Sequence, residues 1–443
     1  MTIAQIFANF GAELRPQDLS PDVIHHAKRA VIDWYAAWLP GSIEPPATLL
    51  EIAMGDDLDR GSARLAQGRL STPRTAAMIN ATAAHTVEVD DIYREAIYHP
   101  GAPTIAAALA IGQAESASGL AFLTAVVAGY EISTRIGAAM GREHYRYWHN
   151  TGTVGTFGAA AAASKLLKLD ANQYTHALCT GATFAAGLQQ AFRMDSMSKP
   201  LHAGHAAQAG LLAAQSAAAG VTGSLDVIDG EAGFGKAMGP GPEWGKSVLT
   251  LGTVFHINSM TFKNHACCGH TFAPIDGALA LQKQMEIQPH DIHRIHIATY
   301  RPALEVAGNF QPVTAAQARF SIPYVVATAL LFGSVRLAAF TSERLADTAI
   351  RDLMTKIELS VDPALDAAFP GQRAAHVRIE LNNGRTASFF QPTRKGDPEA
   401  PLTDDDLSNK FMELVTPVVG QPHATVLLKK LWHLEKCINV ASL

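Results

Sequence analysis

The chain has 443 residues, 48% of them apolar and 17% charged, with a formal net charge of −5. That length exceeds what one hydrophobic core usually serves, so two domains are expected, and the apolar share leaves little room for disorder. Acids and bases are interspersed with no basic stripe, which argues against nucleic acid or an anionic membrane as partner and leaves small molecules or protein subunits.

Four cysteines (Cys179, Cys267, Cys268, Cys437) make no disulfide framework and fit a reducing compartment. The opening MTIAQIFANFGAEL lacks a basic region ahead of an apolar core, and no apolar run reaches membrane-spanning length, so a cytoplasmic protein is expected. Ser20-Pro21-Asp22 has the chemistry of a helix start: a capping hydroxyl, proline in the first turn and an acid at the positive dipole end. The helix is predicted to run through Trp34 and Trp38 and to stop before Pro40-Gly41. From there to about residue 257, alanine- and glycine-rich segments such as Ala102 to Gly112, Leu120 to Ile132, Val154 to Leu167 and His202 to Ala219 predict a bundle of closely packed helices.

Near His256 the texture changes. Ile292 to Ala298 and Ala375 to Asn382 alternate polar and apolar residues, and Asn382-Asn383-Gly384 between Ala375–Leu381 and Thr386–Phe390 is a hairpin signal. After Pro398 the pattern returns to helix, capped by Thr403 and its following acids. The predicted fold is mainly α: a large all-helical domain from residues 1–257 and 398–443, with a smaller α+β domain inserted at 258–397.

Five stretches carry the candidate chemistry. The first, HTVEVDDIYREAIYHPGAP from His85 to Pro103, places Glu88, Asp90, Asp91 and His99 between two helical segments, and acids there need partners to offset desolvation. A solvated loop with a helix cap is the plainer reading. The second, from His144 to Gly158, runs an aromatic and histidine-rich loop into spaced glycines. No strand precedes it and no ribose-binding acid follows, so close helix packing explains the glycines better than a dinucleotide site. Its backbone N–H groups near Thr153 are able to hold a carboxylate, with Tyr145 and His149 beside it.

The third stretch, from Arg193 to His205, places Lys199 just before Pro200 and a new helix, as an anion-binding or basic group, with a plain surface lysine as the alternative. In the fourth, Lys263 to His270, adjacent Cys267 and Cys268 do not easily share a tetrahedral ion and no second pair follows at finger spacing, so no metal is expected. The fifth, ARFSIPY, places Arg319 and Tyr324 at the head of an apolar helix, with capping and core packing as an equal alternative. GxSxG, Walker, kinase and HExxH patterns are missing, which counts against nucleophilic hydrolysis and phosphoryl transfer.

HTVEVDDIYREAIYHPGAP, HNTGTVGTFGAAAAASKLLKLD, SKPLHAGHAAQAG, MTFKNHACCGH and ARFSIPYVVATALL stand in the order found in the 2-methylcitrate dehydratase (MmgE/PrpD) family, and the resemblance covers nearly the whole chain. It implies a homodimer with a large helical domain built from both chain ends and a smaller α+β domain. It also implies an enzyme acting on a small di- or tricarboxylate, moving a proton beside a carboxylate without a redox cofactor or an obligatory metal. The family includes methylcitrate dehydratases, cis-aconitate decarboxylases and iminodisuccinate epimerases. By resemblance the site draws on Asp90, Asp91, His99, His149, Lys199, Lys263 and Tyr324.

Two positions depart from the decarboxylase pattern: Glu88 stands where that pattern has aspartate, and Cys268 where it has histidine. Tyr145 or His149 on one loop and Lys199 on another make a candidate acid/base pair, and Lys199, Lys263 and Arg319 or the helix start at Thr153 a carboxylate clamp. That set suits elimination and epimerisation alike. The HYRYW segment ahead of His149 resembles the epimerase branch, so the expectation is an epimerase inverting a carbon beside a carboxylate, with a hydro-lyase second and a decarboxylase third. A non-enzymatic helical scaffold, the remaining reading, requires Lys199, His149 and Asp91 to lie apart and exposed.

Overall fold

The computed structural model describes residues 1–192, 196–369 and 371–443. The described chain divides into two compact units, Met1–Phe262 with Thr403–Leu443, and Lys263–Leu402. The division falls after Phe262 and Leu402 instead of after 257 and 397. One reason is local: Thr261 pairs in both directions with Ile92 of the first unit, at 2.9 Å each way.

The first unit opens with α1 (Ile3–Glu13), α2 (Pro21–Gly41) and α3 (Ala47–Ala53). Ser20 caps α2 by accepting from the Val23 N–H, and the helix runs through Pro40 to Gly41 rather than stopping short. Proline in a last turn forfeits a single backbone bond, and Trp38, Leu39 and Pro40 are buried there. A small antiparallel pair, β1 (Leu58–Arg64) with β2 (Leu70–Ser71), follows, so this unit is mostly rather than wholly helical. Positive φ at Asp59 and an ion pair from Asp59 to Arg69 shape that irregular ribbon.

Six helices then build the core: α4 (Pro73–Thr86), α5 (Gly101–Ala114), α6 (Gly119–Tyr145), α7 (Asn150–Leu166), α8 (Ala171–Phe184) and α9 (Ser198–Ala218). Helix α6 breaks at Gly141. Helix α7 is buried without a break from Asn150 to Ser164 and packs on α5, α6, α8 and α9. Its glycines permit this: a Cβ on Gly155 would lie 2.6 Å from Pro103 Cγ, and one on Gly158 2.5 Å from Thr104 Oγ1.

The second unit holds α10 (Phe272–Met285), β3 (Ile292–Thr299), α11 (Ile322–Phe332), β4 (Ile357–Val361), β5 (Ala375–Leu381) and β6 (Thr386–Gln391). The sheet order is β4-β3-β5-β6, with β3 parallel to β4 and the other pairs antiparallel. Inward residues of β5 alternate strictly, and α10 lies on β5 and β6. The β5–β6 turn uses Gly384 at φ +80°, where the sequence puts its Asn-Asn-Gly.

The chain returns to the first unit as α12 (Asp404–Val419) and α13 (Gln421–Trp432). Thr403 and Asp406 form a reciprocal cap on α12, which lies along α2. No helix among the described residues is long and apolar enough to cross a membrane.

Candidate active site

The segment joining α4 to α5 is pinned along its length. Ile92 pairs with Thr261, and Tyr93 and Tyr98 bridge each other through both backbone groups. The Asp91 carboxyl accepts from the Gly101 N–H at 3.0 Å and the Tyr130 hydroxyl at 2.7 Å, so it caps the start of α5 directly after His99. The Val89 carbonyl accepts from the Lys410 ammonium at 2.7 Å, and that ammonium also holds Asp33 at 2.6 Å. Glu88, beside Val89, is held at φ +61°, a backbone region that a non-glycine residue occupies at a cost.

This frame presents one group of polar side chains. Asp90 Oδ2 lies 2.6 Å from His85 Nδ1 and 3.2 Å from His99 Nδ1. The His85 ring stacks on His149 at 5.4 Å, and His149 Nδ1 lies 3.1 Å from His202 Nδ1. Lys199, three residues before His202 on α9, forms an ion pair with Glu88. Exposure divides the group. His85 and Asp90 are sealed, whereas the side chains of His99, Lys199 and Glu88 keep 13%, 18% and 20% of their surface, enough for a solute to touch.

Burial pushes the Asp90 carboxyl up, but the imidazoles of His99 and His85 outweigh it and hold it well below the usual range. Burial takes His85 down to about 4 against the pull of Asp90, so His85 is neutral and donates its Nδ1–H to the carboxylate. Burial lowers His149 well below the ordinary imidazole value, and His85, Lys199, His202 and His99 add to the shift. Asp91 goes the other way, up to about 8, through burial and then the charge of Asp33.

Among the described residues, His85, Asp90 and His99 bring three donor atoms within 4.8 Å of one another. They fit a shared proton better than an ion. Two ligands on one ion with bonds of about 2.0 Å sit roughly 3.3 Å apart, whereas His85 Nδ1 and Asp90 Oδ2 are at hydrogen-bond distance, 2.6 Å. In the second unit the Cys267–His270 segment also fails to converge on a centre. The Cys267 thiol lies 3.0 Å from the Thr271 hydroxyl, His265 Nε2 faces Asp276 at 2.9 Å and His270 Nδ1 meets the Tyr300 hydroxyl at 2.8 Å.

The positions singled out by sequence separate into three sets. Asp90, His99, His149 and Lys199 share the group just described in the first unit. Within the second unit Lys263 is buried, the Cys268 N–H donates to the Arg319 carbonyl at 2.9 Å and the Arg319 guanidinium lies 5.2 Å from the Phe340 ring centre.

Three residues belong to the framework instead. The Thr153 hydroxyl is fully buried between His144 Nε2 (2.7 Å) and the His149 carbonyl (3.4 Å), and its N–H is also spent on that carbonyl, so it is no carboxylate clamp. Tyr324 is fully buried and donates to the Ala339 carbonyl at 2.7 Å, which makes it a packing residue. Asp91 is a cap on α5. Tyr145 sits half-buried at the end of α6, and Arg193, Met194 and Asp195 lie outside the described residues. The scaffold reading fails on His149 and Asp91, 2% exposed each. His85, His202 and Lys410 carry no expectation from sequence. The signals for the first two are their spacings, five residues before Asp90 and three after Lys199.

A mostly helical two-unit chain with a buried aspartate between two imidazoles, beside a lysine–glutamate pair, defines the class. The chain belongs to the MmgE/PrpD family: residues 5–247 match the MmgE/PrpD N-terminal domain and residues 265–434 the C-terminal domain. It is 29% identical to the cis-aconitate decarboxylase-like protein oryM of Aspergillus oryzae over 462 residues, covering 98% of this chain and 95% of that protein. The cis-aconitate decarboxylase of Homo sapiens is 28% identical over 447 residues (98% and 92%), and that of Aspergillus terreus (strain NIH 2624 / FGSC A1156) 25% over 463 (98% and 94%).

Proposed function

We propose that this chain is a lyase acting on a small tricarboxylate of the cis-aconitate type, with decarboxylation as its reaction. The observation that carries the reading is Asp90 gripped by His85 and His99 next to the Lys199–Glu88 pair. Loss of CO2 from such an acid breaks a carbon–carbon bond, sends its electron pair into the system conjugated with a remaining carboxylate, and requires a proton at carbon. An ammonium at that carboxylate lowers the barrier, and Lys199 supplies one once substrate competes with Glu88 for it. His99, whose Nδ1 lies 3.2 Å from the buried Asp90 carboxylate, and His149, stacked on His85, supply the imidazoles that give or take a proton. The decarboxylase names of the relatives support this choice among the reactions of the family.

Dehydration of a hydroxy tricarboxylate is the second reading, and Cys268 favours it, standing where the decarboxylase pattern has histidine. The names of the relatives favour a lyase over the epimerase expectation. Of the HYRYW segment, His144 is tied to the Met238 carbonyl and Thr153, and Tyr147 points outward at 60% exposure. The test is incubation of the purified protein with cis-aconitate and, separately, with 2-methylcitrate in deuterated buffer. Release of CO2 from cis-aconitate supports decarboxylation, while new alkene absorbance from 2-methylcitrate without CO2 replaces it with dehydration. Deuterium exchange at carbon with neither product would reinstate epimerisation.

A further inference from the structure

His149 is 2% exposed, so while substrate fills the site a proton it gives or takes has to be exchanged with solvent through another group. Its Nδ1 faces the Nδ1 of His202 at 3.1 Å, and His202 is only half-buried. The contact is built into the fold. The ring of His202 lies against two glycines: a Cβ on Gly187 would come within 3.3 Å of its Cγ and Nδ1, and one on Gly152 within 3.1 Å of its Cβ. Gly187 holds φ +135°, which favours glycine, and its carbonyl accepts the His149 N–H at 2.9 Å. The backbone that makes room for one imidazole therefore anchors the other.

The groups facing this pair are His85, stacked on His149, with Lys199, His99 and His205 near enough to act on one ring or the other. Burial first, and these groups second, keep both rings neutral at neutral pH. Two neutral imidazoles meeting through Nδ1 bond only when one carries the Nδ1–H and the other a lone pair, so their tautomers are complementary.

We propose that His149 and His202 form a two-imidazole proton conduit, in which His202 exchanges protons between His149 and solvent. This rests on the proton-transfer reading above. In the delivering stroke His149 breaks its Nε2–H bond to protonate the substrate carbon, and its Nδ1 takes the Nδ1–H of His202. The Nε2 of His202 then takes a proton from water, so each ring ends with one N–H, as it began. The reverse stroke, in which His149 takes a proton from the water that replaces product and His202 releases one to solvent, resets the pair. The hydroxide left behind combines with the CO2 released, as bicarbonate. His202 acts through His149 and is a positioning and relay residue.

The test pairs kinetics with tautomer measurement on the full-length protein. In His202→Ala, kcat for cis-aconitate should fall by about ten-fold or more with KM within about two-fold. Added imidazole should restore kcat in proportion to its concentration, without affecting the wild type. A kcat within two-fold of wild type overturns the conduit. So does a loss that imidazole does not restore but His202→Gln does, since glutamine can orient His149 but cannot relay a proton through a ring. Nitrogen-15 spectra of the histidines decide the pairing independently of turnover. One ring of the pair should carry Nδ1–H and the other Nε2–H, and finding Nε2–H on both overturns the conduit. A wild type that turns over no carboxylate defeats the lyase reading alone, and the spectra still decide the pairing.

Discussion

Replacing Lys410 by methionine removes the positive charge from a pair that is 1% exposed on both sides and leaves Asp33 among the helices of the first unit. Breaking a buried pair from one side costs about 3–5 kcal/mol, because a carboxylate remains without its cation. The protein has one escape, protonation of Asp33, and from an ordinary aspartate to pH 7 that costs about 4 kcal/mol at 1.36 per unit. The two routes give the same figure at pH 7 but differ in form. Protonation makes the penalty shrink by about 1.4 kcal/mol for each unit of pH lowered towards 4. Urea unfolding at pH 7, 6 and 5 reads this directly, since Trp34 and Trp38 are buried on the same helix as Asp33 and report on its surroundings. Asp33→Asn with Lys410→Met should recover most of the loss. A Lys410→Met cost below about 1 kcal/mol at pH 7, or one flat in pH, would refute the reasoning.

Asp91, raised to about 8, stays protonated in the folded state between about pH 4 and 8 where the unfolded chain has released its proton. Stability should therefore fall as pH rises through that window and level off above it, and Asp91→Asn should remove the slope; an unchanged slope in urea midpoints overturns the assignment. Gly101→Ala places a Cβ 2.8 Å from both Asp91 Oδ1 and the Tyr130 hydroxyl, and should destabilise the first unit by about 1–3 kcal/mol in the same assay. Lys199→Ala should abolish turnover while moving the unfolding midpoint by less than about 1 kcal/mol, because the Lys199–Glu88 pair is partly solvated. Retained turnover would remove Lys199 from the chemistry.

Local chemistry was legible wherever one stretch of chain contained the whole signal. Ser20, Thr403 and the Asn382–Gly384 turn are caps and corners written in three or four residues, and the alanine- and glycine-rich runs announce close helix packing. Strands β1, β2 and β4 were not legible: Leu58–Arg64 has no alternation to read, its burial running irregularly, and Ile357–Val361 is short and lies at a sheet edge. In the candidate site, Asp90 and His99 stand out because one loop carries both. His85 sits at the end of an alanine-rich helix and meets Asp90 only because the chain turns back five residues on, and His202 meets His149 only when α7 and α9 pack together. Thr153 and Tyr324 misled for the opposite reason. Each looks polar and well placed in sequence, yet packing turns its hydroxyl towards a framework partner.

Lys410 gives a physical reason for the return of the chain to its first unit after the α+β segment. The residues around Glu88 cannot hold its left-handed conformation unaided, since a side chain at positive φ costs on the order of 1–3 kcal/mol. A charged donor on the carbonyl of the next residue supplies the restraint, and that donor comes from α12 at the far end of the sequence. The same ammonium pairs with Asp33 and keeps it ionised, and that negative charge, after burial, pushes Asp91 towards its protonated form at the head of α5. Glu88 towards Lys199, and Asp90 towards its imidazoles, thus project from either side of a carbonyl fixed by the C-terminal helix. A chain ending before α12 would keep every acid and imidazole of the candidate site and lose the geometry that brings them together.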